Sequence, residues 1–146
     1  MPVYDVPGVE ESDGEVFKTH AAGIYPASIE ECKFQEIQKE GSDYKGTIML
    51  QLVFAVTNPE SSVVVKARDS ILLPITAEGY TSPMDSEQKR KALAKVKKLQ
   101  IACGLEDMGT AIDNEAFMYA NLQVEVYEDD DATYGKQNKV KDYLEA

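Results

Sequence analysis

The sequence predicts an all-β fold with one helix: a five-stranded barrel, with the helix between strands three and four. Three observations carry that expectation. Five segments alternate apolar and polar residues with period two, as half-buried strands do. One segment, from Ser82 to Gly104, instead repeats its apolar residues at helical spacing. The first alternating segment also changes phase partway, which is what a β-bulge does to a strand.

Residues 1–22 have no sustained periodicity and carry Pro2, Pro7, Gly8 and Gly14 among acids, so they read as an extended or poorly ordered arm. The domain spans 23–146. In "GIYPASIEECKFQEI", Tyr25, Ala27 and Ile29 share one face, and Cys32 and Phe34 then take it over. The slip predicts a long, bent strand able to serve two sheets. "KEGSDYKG" supplies a turn. "TIMLQLVFAVT" sets Ile48, Leu50, Leu52, Phe54 and Val56 on one face. After "NPESS", "VVVKARDSILLP" alternates Lys66 and Arg68 against Val65 and Ala67, so the two cations share a face.

The helix follows. Ser82 fits its N-cap, with Pro83 at the first helical position and Asp85 three residues after the cap. Ala92, Val96, Leu99 and Cys103 recur on one side, Lys91, Lys95 and Lys98 form a stripe on another, and Gly104 can end the helix in a left-handed conformation. "LEDMGTAIDNEA" reads as irregular. A fourth strand, "FMYANLQVEVYE", points Met118, Ala120, Leu122, Val124 and Val126 inward and Tyr119, Gln123, Glu125 and Tyr127 outward. A fifth, "KQNKVKDYL", packs Val140 and Leu144 inward while Lys139, Lys141 and Tyr143 face out. The order of elements matches the oligonucleotide-binding (OB) fold. Other five-stranded arrangements with one helix stay open.

Composition narrows the function classes. A chain of 146 residues with 43% hydrophobic content is one domain with an ordinary core. No apolar run approaches the roughly 20 residues that span a bilayer, and no secretory signal is recognisable, so a cytoplasmic protein is expected. Cys32 and Cys103 lie far apart without metal-ligand spacing and are expected as thiols in the core. With His20 the only histidine, a zinc site would need every Cys and His in the chain plus a carboxylate, and no cofactor is expected. The net charge of −11 opposes adhesion to nucleic acid over the whole surface. The charges are nonetheless segregated: residues 1–31 hold seven acids and one base, Lys18, whereas 82–104 hold six bases against Asp85 and Glu87.

An OB fold binds single strands on strands two and three, with help from the loops joining strands one to two and four to five. Single-stranded DNA needs cations for its phosphates and flat rings for its bases. Both recur where that rule points. Lys66 and Arg68 lie on strand three, Tyr44 and Lys45 in the first loop, Tyr134 and Lys136 in the second, and Lys139, Lys141 and Tyr143 on strand five. These nine are the candidate nucleic-acid-binding residues.

The stretches "GIYPASIEECKF", "KGTIMLQLVF", "KVKKLQIACGL" and "VEVYEDDDATYGKQNKVKDYL" resemble a family of small phage-encoded proteins associated with single-stranded-DNA binding and replication. The resemblance spans roughly residues 23–144. It implies coating of single strands during phage DNA replication, recombination or repair in the cytoplasm of an infected bacterium, with phage or host replication proteins as partners and homo-oligomers permitted. Single-strand binders commonly end in a flexible acidic tail that recruits partners, whereas this chain stops at "DYLEA". Its acids lie in the arm and in "EDDD", so recruitment is expected elsewhere, if at all.

Two other readings remain. Glu128 to Asp131 could hold magnesium for a nuclease, but such sites gather acids from separate elements, and no Walker loop, nucleophile elbow or HExxH motif occurs. A non-enzyme is expected. The other is an acidic OB-like protein-interaction module or DNA-mimic inhibitor that never touches DNA.

Overall fold

The computed structural model describes residues 2–7, 19–132 and 135–146. Its strands are β1 (Gly23–Glu36), β2 (Thr47–Thr57), β3 (Val64–Thr76), β4 (Asn121–Asp131) and β5 (Gly135–Leu144), and α1 (Ser86–Ala102) lies between β3 and β4. The strands close into a barrel in the order β1, β2, β3, β5, β4. All pairings are antiparallel except that of β3 with β5. This is an OB-like all-β fold with one helix.

The phase slip in β1 is a bulge. Ile29 pairs with Phe54 and Glu31 with Val53, leaving Glu30 as the extra residue. The bend lets β1 pair with β2 along most of its length while Gly23 to Ser28 also pair with β4. Ala27 and Ile29 are buried before the bulge and Cys32 after it, whereas Phe34 emerges partly exposed. From β2, Leu50, Leu52, Phe54 and Val56 fill the barrel. Each such side chain contributes about 1.5 to 3 kcal/mol of burial.

Helix α1 starts later than its sequence suggests. Asp85, not Ser82, is the N-cap: its carboxylate accepts from Gln88 N at 2.8 Å, and Gln88 Oε1 accepts from Asp85 N at 2.9 Å. Gln88 completes a reciprocal box that Ser82 lacks, which satisfies two helix-end donors. Val96 and Leu99 join the core, and Gly104 takes φ +70 after the last turn.

β4 also begins later, at Asn121. Asn114–Phe117 form a 3-10 turn, and Phe117, expected at the start of the strand, is fully buried in that turn. Asn114 Nδ2 donates to the Cys32 carbonyl at 2.8 Å, tying this turn to β1 beyond its bulge.

Three residues that the sequence assigns to the arm, Thr19, His20 and Ala21, are hydrogen-bonded to the barrel. His20 N donates to Asn138 Oδ1 at 2.7 Å, and Asn138 Nδ2 donates back to the His20 carbonyl at 2.9 Å. The His20 ring is buried, with Nε2 2.9 Å from the Val56 carbonyl, and it packs on Tyr25. The Ala21 carbonyl in turn accepts from the Tyr25 hydroxyl at 2.7 Å. Most of the remaining arm, 8–18, lies outside the described residues. Among the described residues no helix is long and apolar enough to cross a membrane.

A second bulge, in β5, overturns one expectation. Glu125 pairs with Asp142 but Val126 with Val140, so Lys141 is an extra residue. Asn138 and Val140 point inward before it and Tyr143 after it. Tyr143 is therefore buried, not on the outer surface. Leu144, expected inward, is only partly buried.

Candidate functional site

Pairing across the barrel assembles one continuous row on its outer surface. Glu31 of β1 lies opposite Val53 of β2, Val53 opposite Arg68 of β3, Arg68 opposite Lys139 of β5, and Lys139 opposite Tyr127 of β4. Their sequence neighbours Cys32, Leu52, Ala67, Asn138 and Val126 are buried, so strand alternation turns the row outward. Next to it, Lys33 faces Gln51 and Gln51 faces Ser70. Glu31, Lys33, Gln51, Val53, Arg68, Asp69, Ser70 and Lys139 line a groove of about 570 Å³.

The groove's charges differ in how they are compensated. Arg68 and Lys33 make no ion pair among the described residues. Lys66, flanking Arg68 on β3, pairs with the bulged Glu30 at 3.5 Å. Lys139 pairs with Asp129 at 2.8 Å, Lys136 with Glu128 at 3.4 Å and Lys141 with Glu125 at 3.7 Å. Glu128 and Asp129 of the acidic run thus pair with lysines that follow it, because β4 and β5 form a hairpin whose strands run on to Asp131 and from Gly135. Exposed pairs of this kind contribute about 1 kcal/mol or less each, so a phosphate can compete for their lysines.

The eight described residues of the expected nine do not converge on one place. Arg68 and Lys139 line the groove, and Lys66 borders it. Tyr44 and Lys45 sit in the β1–β2 connection, beyond the Thr47–Thr76 end of the β2–β3 pair, about 26 Å of strand from Arg68. Lys45 is held there by Glu40. Lys136 belongs to β5 rather than to a loop, on the same strand face as the inward Asn138 and against Glu128. Lys141 is the bulge residue and lies against Glu125 on the outside of the hairpin. Tyr134 lies outside the described residues.

Tyr143 leaves the candidate interface altogether. Its hydroxyl donates to Asp69 Oδ2 at 2.5 Å, and Lys95 Nζ from α1 lies 3.1 Å from the same oxygen and 5.9 Å from the Tyr143 ring centre. Burial, and then the Asp69 carboxylate, hold the phenol above its ordinary range, so it remains a neutral donor. Nearby, a hydrogen bond from Lys98 lowers the Asp142 carboxyl below its usual value. These contacts join α1 to β3 and β5, where the backbone ladder consists of only Ala67↔Asn138 and Arg68↔Lys139. Tyr143 is a structural clamp across that seam.

Sequence reasoning missed Lys33 in the groove and Tyr127 beside Lys139 on the outer row. The signal for Lys33 was the phase slip itself: with Cys32 and Phe34 inward, Lys33 must face out. Tyr127 was already outward by alternation, and only its juxtaposition with Lys139 was hidden. Burial pushes the Cys32 thiol up to about 12 and the Cys103 thiol up to about 11, which favours the protonated form of both near neutral pH.

Fold and groove together define a class: an OB-like barrel with a groove of mixed charge, three bases and two acids, across the outside of its strands. No protein-family model matches the chain, and no curated protein matches it significantly.

Proposed function

We propose that this protein binds single-stranded DNA along the outer groove, largely independently of sequence, as an accessory to DNA replication, recombination or repair in a phage-infected bacterium. The observation that carries the reading is Arg68. It stands on β3, at the centre of the outer row, with no acidic partner among the described residues and with Lys139 directly opposite. A guanidinium fork is suited to two phosphate oxygens at once. Tyr127 supplies a flat ring one strand further on. The groove crosses β2 and β3, where OB folds bind oligonucleotides. The family resemblance supplies the phage context.

The overall charge of −11 makes contact local: the strand is held by the groove while the rest of the surface repels it. Titration of a fluorescent oligo-dT at several salt concentrations tests the proposal. Binding is expected to weaken with a log-log slope of about −0.7 per phosphate contacted. No binding at low salt overturns it. The self-paired lysines favour one other reading, an acidic module that docks on a protein and leaves DNA untouched, and the same null result would favour that module.

A further inference from the structure

We infer that Tyr119 and Tyr127 are base-stacking residues at the two ends of the outer row, so that a bound single strand crosses the strands of the barrel instead of running along them. The inference rests on the proposed DNA binding and adds the path and its end points. It starts from an anomaly at Tyr119. This residue has φ +65 in the turn between Phe117 and β4, a conformation that a Cβ disfavours. The turn is fixed on both sides: Tyr119 N donates to the Ile29 carbonyl at 2.8 Å, and Ile29 N donates to the Ala120 carbonyl at 3.1 Å. A glycine would satisfy this backbone without strain. The tyrosine ring cannot be explained by packing either, because Tyr119 is 77% exposed. The other described non-glycine residue at positive φ is Ser62, a small polar residue in the β2–β3 turn.

A large ring held in a strained conformation and offered to solvent points to a ligand. Its place in the barrel says which one. The two hydrogen bonds to Ile29 set Tyr119 beside the β1 bulge, where Glu30 reaches Lys66. From there the outer row runs through Glu31, Val53, Arg68 and Lys139 to Tyr127, which is 40% exposed. Both tyrosines belong to the β4 region. The row leaves β4 at one tyrosine and returns to it at the other because strands in a closed barrel are tilted and staggered. Five strand-to-strand steps make this path about 24 Å long. Rings stand at its ends and cations at its centre, the combination that single-strand binding uses.

The test exploits the conflict between conformation and exposure. Tyr119→Gly is expected to leave the thermal midpoint unchanged or raise it, while weakening oligo-dT binding about tenfold, the loss of one stacked base. Tyr119→Phe keeps the ring and is expected to keep the affinity. The chain contains no tryptophan, so Tyr119→Trp and Tyr127→Trp each provide a single reporter, and quenching of both by oligo-dT is expected. Undiminished affinity in Tyr119→Gly overturns the inference and leaves the DNA-binding reading standing. So does an indole fluorescence in Tyr119→Trp that is indifferent to DNA the variant does bind. Failure of the unaltered protein to bind oligo-dT at low salt removes both.

Discussion

Arg68 and Asp69 are neighbours in sequence and opposites in circumstance. Asp69 points towards α1, where Lys95 and Tyr143 both hold its carboxylate. Arg68 points outward into the groove, with no ion-pair partner among the described residues. One residue of strand separates a charge that holds the fold together from one that no described residue compensates. A charge removed from water must be compensated by its own protein, whereas an exposed one can await a partner from outside. Charge counts cannot make this distinction; the direction of the side chain does.

Reversing the outward charge should give the largest effect. Arg68→Glu places an acid between Glu31 and Lys139 on the path proposed for phosphates, and like-charge juxtaposition costs several kcal/mol. Oligo-dT affinity should fall by about two orders of magnitude or more. Unfolding in urea should shift by no more than about 0.5 kcal/mol, since an exposed side chain without ion-pair partners among the described residues is being changed. A comparable loss of stability would mean that Arg68 is structural after all and would erase the contrast with Asp69.

The inward charge should behave in the reverse manner. Asp69→Asn removes the counter-charge of Lys95 and the strong acceptor of the Tyr143 hydroxyl, and should destabilise the protein by about 2 kcal/mol. Tyr143→Phe, which leaves Asp69 with Lys95, should cost about half as much, roughly 1 kcal/mol. Urea midpoints in that order would support the clamp. Equal and negligible shifts would mean that the seam is closed by apolar packing of α1 alone.

The same contrast explains what the sequence could reveal. The bulge in β1 was legible because apolar residues on both sides, Ala27 and Ile29 and then Cys32, expose the slip. The bulge at Lys141 was not, because Val140 has little apolar company on the near side, and Tyr143 and Leu144 on the far side suit either phase. Alternation therefore carried through the bulge and turned Tyr143 the wrong way. The helix start was ambiguous for a related reason, since Ser82 and Asp85 are both capping residues and only the reciprocal bond with Gln88 selects one. The juxtaposition of Arg68 with Lys139 depends on the parallel closure of β3 against β5, about 70 residues apart in sequence, and no local pattern encodes a partner that distant.

The smallest predicted effect concerns the hairpin, which lies between these two extremes. Lys139 faces the groove as Arg68 does, yet it is held as Asp69 is, by Asp129 at 2.8 Å. Both partners are substantially exposed, so the pair is screened by salt and holds Lys139 only weakly. A DNA phosphate arriving at Lys139 must compete with that carboxylate and also meets its repulsion. Asp129→Asn should therefore tighten oligo-dT binding severalfold at low salt, with the gain shrinking as salt rises. Weaker binding in this variant would show that Asp129 orients Lys139 for the phosphate instead of competing with it. The acids of β4 would then be part of the interface, and the line between compensated and available charge would run through the hairpin rather than between Arg68 and Asp69.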